Sequence, residues 1–301
     1  MAAPWVLLAL GTAVGETIRD LALRQVLRHS GWSTLRVIGL CSGIATLILL
    51  PLVLATPQAV GWPAFLTALA LGGSLNALAF WSYGRAIAQE DLSLVLPLIN
   101  LSPLVLLLAG WWVLGERPGP LAVLGVGLLV MGALLLGQSR GRAEAELGDL
   151  RRLWSSPGCR WMLLVAVLWG VGASIDKLGV RAGGSLLWVL ALQLVIGSSL
   201  LALSVQDGPA RPLERRGAAS APRLVVALLL AGTAGAVGTV WQMQAISQTA
   251  VVHVIALKRL STLLGSGAGV LALGEANGAR RLLAAALMVL GAATVLWSAL
   301  G

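Results

Sequence analysis

Charged residues are scarce in this 301-residue chain. They make up 11% of it, whereas a soluble domain carries about 25%. Cysteine is almost absent, and Cys41 and Cys159 lack the spacing of a metal site, so they indicate neither metal binding nor redox chemistry. Hydrophobic residues make up 58% of the chain. This composition excludes a soluble globular protein and is typical of a membrane protein.

Signals of catalysis are also missing. The chain has no histidine and carboxylate cluster at metal-ligand spacing, and no nucleophile beside a base. Its glycine-rich segments lie inside apolar runs, where small residues serve helix packing rather than phosphate binding. We therefore predict that the protein is not an enzyme and that it needs no cofactor and no metal.

Ten apolar segments run along the chain, each close to the roughly 20 residues that a membrane-spanning helix needs. They are uninterrupted and lack the alternation of a membrane β-barrel. The pattern predicts an all-α polytopic membrane protein with helices at about 5–23, 36–56, 63–88, 92–113, 119–137, 160–181, 185–204, 223–247, 249–273 and 279–300.

The two halves of the chain repeat each other. Short signatures recur at one constant offset: Ala86-Ile87 as Ala245-Ile246, Ser102 as Ser261, Gly110 as Gly269, Leu114-Gly115-Glu116 as Leu273-Gly274-Glu275, and Gly132 as Gly291. We predict a first five-helix repeat at 1–137, a charged linker at 138–159 and a second repeat at 160–301. Five is an odd number, so the second repeat is expected to be inverted, an architecture of secondary transporters.

The arginines are unevenly distributed among the connections. The connections after odd-numbered helices hold fifteen arginines, whereas those after even-numbered helices hold only Arg117 and Arg181. If the positive side is cytoplasmic, both termini lie outside the cell. In a soluble protein the net charge of +9 would indicate nucleic-acid binding, but here arginines flanking membrane helices explain it, so no nucleic acid is expected.

Together these motifs resemble the ten-helix EamA-type branch of the drug/metabolite transporter superfamily. The residues that carry the resemblance are Trp81, Ala86-Ile87, Pro97, Pro103, Leu114-Gly115-Glu116-Arg117-Pro118, Lys258-Arg259 and Leu273-Gly274-Glu275. The resemblance implies a transporter whose central cavity is lined mainly by helices 1, 3, 4, 6, 8 and 9. It names no substrate. Family members usually have cytoplasmic termini, which disagrees with the orientation that the arginines favour.

Lys258 and Arg259 lie roughly 15 Å into the ninth helix, near the middle of the bilayer. An ionised group there costs about 2.5–3.5 kcal/mol, so it is expected to pair or to bind a solute. One interpretation is an anion site, with Ser261 and Thr262 on the same face of the helix as Lys258. Asn100 is the residue of the first repeat that is equivalent to Arg259. The other interpretation is an internal salt bridge to Asp176, to Glu16 or in the neighbourhood of Lys177.

Two further helices carry polar and aromatic stripes. Asn76 and Tyr83 share a face of the third helix, and Trp241 and Gln244 share a face of the eighth. Such stripes fit a solute cavity, in which rings provide shape and amides provide orientation. They also fit hydrogen bonds between helices. Because the stripe recurs in the same helix of both repeats, we predict a substrate-binding role for these four residues.

Glu16, Asp176 and His253 are candidates for proton coupling. The alternative is that the two carboxylates anchor helix ends and that the histidine is a hydrogen-bonded interior residue. For Glu116 and Glu275 we predict a structural role, in which each accepts hydrogen bonds from free amides of the following helix. Pro97 and Pro103 are expected to bend the fourth helix.

The leading hypothesis is a secondary transporter of a small polar metabolite, anionic or zwitterionic. An alternative is an exporter of amino acids or amphipathic drugs with an aromatic-lined cavity. A hypothesis of another class is a membrane scaffold without transport. In each case we expect a multi-pass protein of the cell (inner) membrane, either a monomer or a homodimer, with the bilayer and, for a transporter, a small solute as its partners.

Overall fold

The computed structural model describes residues 3–89, 95–138, 156–206, 221–264 and 278–300. Within these ranges the chain is helical, with ten α-helices, one 3-10 segment and no strand. Glu275 and most of the predicted linker at 138–159 lie outside the described residues. The helices are α1 Pro4–Ser30, α2 Thr34–Ala55, α3 Trp62–Gln89, α4 Ser102–Leu114, α5 Pro120–Gln138, α6 Pro157–Gly183, α7 Ser185–Ser204, α8 Ala221–Gln248, α9 Val251–Lys258 and α10 Gly278–Leu300.

The apolar surface of these helices suits a bilayer. By length and composition, seven helical segments within the described ranges can cross a membrane, and α5 contains a shorter apolar helix. Large apolar side chains such as Leu47, Leu108 and Leu282 point outward and are exposed on the protein surface. Because helices satisfy their own backbone hydrogen bonds, this arrangement can face lipid directly. The protein is therefore an all-α membrane protein, as its composition predicts.

The first helix is longer than its apolar run. It continues past the predicted end at residue 23 to Ser30, where Gly31 adopts a left-handed conformation with φ 68° and closes the helix. The sixth helix also starts earlier than predicted, because the Ser156 side chain accepts the Cys159 N–H and Pro157 occupies the first turn. Apolar runs mark the lipid-spanning part of a helix and miss its polar ends.

The fourth predicted helix is divided. A 3-10 segment, Leu96–Leu101, precedes α4, and Pro97 and Pro103 lie in the first turns of these two elements. Proline lacks an N–H and is tolerated at the start of a helix, so each proline marks a new start rather than a bend within one helix. The Pro97 carbonyl accepts a hydrogen bond from the Asn100 side chain at 3.3 Å.

The helices of the two halves pack crosswise. The most extensive contacts join α1 to α8, α3 to α6, α2 to α7 and α5 to α10. The first helix of each half thus packs on the third helix of the other half, while second helices pair together and fifth helices pair together. Each half buries its surface mainly against the other, so neither is an independent domain.

The pairing of α5 with α10 brings two backbones into contact. A Cβ atom added to Gly125 would lie 2.7 Å from the Gly291 carbonyl oxygen, and one added to Gly132 would lie 2.7 Å from the Ala284 carbonyl oxygen. The two contacts are equivalent under the repeat of the sequence. Small residues at helix crossings permit this approach in membranes, where packing replaces the hydrophobic effect as the driving force.

Two ends of the helix bundle can be recognised from contacts. At one end, called face A, the Trp5 ring of α1 lies 6.1 Å from the His253 ring of α9, and Lys177 near the end of α6 contacts Glu116 just after α4. At the opposite end, called face B, Trp81 of α3 packs on Trp161 near the start of α6 at 5.2 Å. The start of α1 and the end of α6 therefore lie at the same face.

Candidate functional site

Glu16 is the centre of a polar cluster in the interior of the bundle. It lies midway along α1, and its side chain is 12% exposed. Its Oε1 is 3.1 Å from the Lys258 Nζ of α9 and 3.1 Å from the Arg19 Nη2. Its Oε2 accepts a hydrogen bond from the Ser261 hydroxyl at 3.1 Å. Of the three alternatives that the sequence left open for this salt bridge, the structure thus brings Glu16 into contact with Lys258.

Arg259 is less completely satisfied than Lys258. It forms a turn after α9, before further helical residues at 260–264. Its Nη2 donates to the Ser102 hydroxyl of α4, while its Nε is buried and has no hydrogen-bond partner among the described residues. A buried donor without an acceptor costs free energy. Arg259 therefore has donor capacity left for another acceptor.

Asn100 and Thr262 connect the two repeats beside Arg259. The Asn100 side chain is buried, and its Oδ1 accepts a hydrogen bond from the Thr262 hydroxyl at 3.2 Å. Ser102 and Ser261, which are equivalent in the repeat, each bind a charged residue of the other half. We call these residues the central cluster: Glu16, Arg19, Asp20, Asn100, Ser102, Lys258, Arg259, Ser261 and Thr262.

The central cluster carries an excess of positive charge. Arg19, Lys258 and Arg259 contribute three cations, whereas Glu16 and Asp20 contribute two carboxylates. Arg19 donates to the Asp20 Oδ1 at 3.0 and 2.8 Å, and these two side chains are 33% and 55% exposed. They lie further along α1 toward face B. The cluster is therefore more exposed on that side than at Glu16, whose side chain is 12% exposed.

A small cavity adjoins Glu16 and Lys258 between α1 and α8. Its volume is about 10 Å³, which is room for about one water molecule. Its wall includes Thr12, Thr239 and Gln242. This cavity is too small for a metabolite.

A second polar group lies at face A. The Lys177 Nζ is 2.6 Å from the Glu116 Oε1 and donates to the Thr249 carbonyl oxygen at 2.7 Å. The Glu116 Oε2 accepts the Val251 N–H, the first amide of α9, at 3.0 Å. The sequence predicted that Glu116 would bind the helix that follows it. Instead, Gly115, in a left-handed conformation with φ 69°, ends α4, and the carboxylate binds α9 of the other half.

The three candidates for proton coupling lie in different places. Glu16 belongs to the central cluster. Asp176 is buried on α6, where its Oδ1 accepts the Trp188 indole N–H at 3.2 Å. His253 lies at face A, with its Nδ1 3.1 Å from the Thr249 hydroxyl. No ion pair or hydrogen bond joins Asp176 to Lys258 within the described residues.

Several predicted substrate-binding residues lie outside the central cluster. Asn76 donates to the Gly72 carbonyl of its own helix at 2.9 Å, and the Tyr83 ring packs on Trp169 with centroids 6.2 Å apart. Gln244 is half-buried near the end of α8. Trp241 is 38% exposed and packs on Gly11, where an added Cβ would lie 2.7 Å from its ring. Successive helical residues differ by about 100°, so Gln242, and not Trp241, lines the cavity.

Besides Arg19 and Asp20 of the central cluster, four residues at the site were not predicted to bind substrate: Thr12, Ser102, Thr239 and Gln242. The sequence carried a signal for two of them. Thr12 precedes Glu16 by one helical turn and therefore shares its face. Ser102 is the repeat equivalent of Ser261. No signal in the sequence separated Gln242 from its neighbours.

Comparison with known proteins identifies the family. A sequence model of the EamA-like transporter family matches residues 3–138 and 156–297. The chain belongs to the EamA-like transporter family. The two matched segments correspond to the two halves, so this EamA-like protein is a two-repeat member of the drug/metabolite transporter superfamily. Members are membrane transporters and not enzymes, and the chain is a multi-pass membrane protein.

Solved structures share the fold of this EamA-like transporter. One, described only as the crystal structure of a protein, matches with a TM-score of 0.75, 18% identity and coverage of 98% of this chain and 96% of the other. At this identity the likeness shows the fold alone. No curated protein matches the chain.

Proposed function

We propose that this EamA-like protein is a secondary transporter that moves a small polar metabolite, anionic or zwitterionic, by alternating access between two inverted five-helix repeats. The observation that carries the proposal is the central cluster. It combines a Lys258–Glu16 ion pair with the incompletely satisfied Arg259, deep within membrane helices. Ionised groups are expensive there and are typical of substrate and ion pathways.

The helix contacts support the inverted arrangement. The first helix of one repeat begins at face A, and the first helix of the other repeat ends there, as the contacts of Trp5 and Lys177 indicate. The crosswise pairs relate the repeats by a two-fold exchange. Repeats of this kind carry their substrate site at the interface, near the bilayer midplane. The chain contains both repeats, so the proposal requires no second copy.

The charge of the cluster supports an anionic group on the solute. Its cations outnumber its carboxylates by one, and Arg259 has a buried Nε that lacks an acceptor among the described residues. A guanidinium presents several donors in a plane that matches a carboxylate or phosphate. Asn100 and Thr262 beside it provide neutral donors and acceptors for the rest of a polar solute.

Glu16 provides a route to proton coupling. An anionic solute that binds Lys258 would replace Glu16 as its partner and would leave the carboxylate with Arg19 as its cation contact. With one cation fewer beside it, Glu16 would bind a proton more readily. The proton would leave when Glu16 returns to Lys258. Asp176 and His253, on the face A side, are secondary candidates for the same role because neither contacts the cluster by a hydrogen bond within the described residues.

The exporter of amphipathic solutes has less support. The rings that would line its cavity pack against α6, with Phe80 5.5 Å and Tyr83 6.2 Å from Trp169, and Trp81 5.2 Å from Trp161. Edge-to-face and tilted ring contacts of this kind stabilise the helix interface. They leave less aromatic surface for a solute.

Thermal unfolding against a metabolite panel tests the proposal. The panel comprises inorganic phosphate, phosphorylated sugars, organic acids, amino acids and neutral sugars. A solute that binds the folded protein at about 100 times its Kd stabilises it by about 2.7 kcal/mol, which raises the Tm. We expect an anion or zwitterion to do so for the parent and to lose its effect on Arg259→Gln and Lys258→Gln. Arg223→Gln, which removes an exposed arginine of α8, is the matched control.

Two results would contradict this expectation. Stabilisation by neutral or amphipathic solutes alone, equal in parent and variants, would favour the exporter. If no solute of the panel moves across proteoliposomes that contain the protein, the scaffold hypothesis is favoured. The two measurements together therefore distinguish all three functions.

The orientation is a separate prediction. We propose that the protein lies in the cell (inner) membrane with both termini outside, because arginines concentrate on the opposite side. A reporter enzyme that is active only in the cytoplasm, fused to the C-terminus after α10, should then be inactive. Activity of that fusion, with inactivity of a fusion in the connection after α5, would reverse the assignment.

A further inference from the structure

The polar group at face A, formed by Lys177 and Glu116, joins three parts of the molecule and includes residues of both repeats. Lys177 comes from α6, Glu116 follows α4, and Thr249 and Val251 form the junction between α8 and α9. The Lys177 and Glu116 side chains are only 8% and 14% exposed. Removal of one partner from a charged contact this well buried leaves an unpaired buried charge, which is strongly destabilising, so the helix ends are held in the arrangement that keeps the pair together.

The contact also controls the helix that carries the central cations. Glu116 accepts the first free amide of α9, and its negative charge faces the positive end of that helix dipole. Lys258 and Arg259 follow two turns later. A movement of Glu116 therefore changes the position of the residues that we propose to bind the solute.

The two faces of the molecule differ in access to the central cluster. Toward face A the ion pair of Lys177 and Glu116 contacts the start of α9, two helical turns before Lys258. Toward face B, Arg19 and Asp20 are 33% and 55% exposed. This conformation is therefore closed at face A, where helix ends of both repeats meet, and the described side chains of the cluster are more exposed on the side of face B.

We propose that Lys177 and Glu116 form the face A gate of the transporter and that their ion pair separates each time the central cluster opens to that face. The inference rests on the proposed function. The pair stabilises the conformation seen here, so its loss must shift the population toward the conformation that is open to face A. Lys177 and Glu116 act on the solute through α9 and are positioning residues.

Cysteine labelling from each side of the membrane tests the gate. Both native cysteines are first removed by Cys41→Ala and Cys159→Ala. In this protein, Gln242→Cys places a single cysteine in the wall of the small cavity beside Glu16 and Lys258. Gly119→Cys after α4 and Trp32→Cys after α1 identify which vesicle preparation exposes face A and which exposes face B. A membrane-impermeant thiol reagent is then applied to sealed vesicles of both orientations, without any solute.

We expect Lys177→Gln to increase labelling of Gln242→Cys from face A about tenfold and to decrease it from face B, because the two conformations exchange population. Glu116→Gln keeps an oxygen for the Val251 amide but removes the charge, so it should act in the same direction. Arg181→Gln, which removes an exposed cation from the last turn of α6, should change neither rate.

Unchanged labelling in both gate variants would overturn the proposal. So would an increase from both faces, because that result indicates general loosening and not alternation. If Lys177→Gln is not recovered as a folded protein in size-exclusion chromatography, the test is made with Glu116→Gln alone. Since no solute is used, a labelling shift in a protein that shows no flux would count against the proposed function alone.

Discussion

Glu16→Gln is expected to lower the free energy of unfolding by about 3 kcal/mol, since removal of one partner of a buried pair leaves an unpaired charge. The Lys258 Nζ would lose the carboxylate 3.1 Å away and would be left beside Arg19 and Arg259, with Asp20 as the other carboxylate of the cluster, paired to Arg19. Lys258→Gln should cost less, because Glu16 keeps Arg19 at 3.1 Å and the Ser261 hydroxyl. The double variant should lie close to Lys258→Gln.

Equilibrium unfolding of the detergent-purified proteins measures this cycle. The expected coupling energy between the two residues is at least about 1.5 kcal/mol, in the range seen for residues in one ion-pair network. Asp20→Asn is the control, since the Asp20 side chain is 55% exposed and its pair with Arg19 should be worth no more than about 1 kcal/mol. Additive losses in the double variant would show that Glu16 and Lys258 do not depend on each other.

Gly291→Ala is expected to destabilise the protein by about 2–3 kcal/mol, which is typical of overpacking. The new Cβ would lie 2.6 Å from the Gly125 carbonyl oxygen and 2.7 Å from the Leu129 backbone nitrogen. Neither obstacle is the end of a flexible side chain, so α5 and α10 must separate. Gly132→Ala should have a similar effect, because its Cβ would meet the Ala284 carbonyl in the equivalent contact.

Gly127→Ala is the matched control for these variants. It lies on α5 near Gly125, but a Cβ there would meet no atom of the described residues within 4 Å. Alanine in a helix interior is favoured over glycine by about 0.5–1 kcal/mol, so this variant should be neutral or more stable. Thermal unfolding of the three proteins compares them directly. Equal melting temperatures for Gly291→Ala and Gly127→Ala would be incompatible with the close crossing.

The positions of the membrane helices could be predicted from the sequence with small errors. The seventh was predicted at 185–204, and α7 is Ser185–Ser204. Apolar runs identify such helices because the bilayer demands them wherever a helix meets lipid. The errors lie where polar residues extend a helix, as in α1 up to Ser30, or where prolines divide one, as between Leu96–Leu101 and α4.

Composition and local pattern alone determined that this chain is a two-repeat helical membrane protein. They also showed that it contains charged residues within its membrane helices, which must be paired or bind a solute rather than face lipid. Only the tertiary structure decided their partners: Glu16 for Lys258, Ser102 for Arg259 and α9 for Glu116. The cost of burying a charge is a property of the residue and its depth, so it is visible in the sequence. The partner depends on the rotation and register of helices far apart in the chain, which packing across the whole bundle establishes.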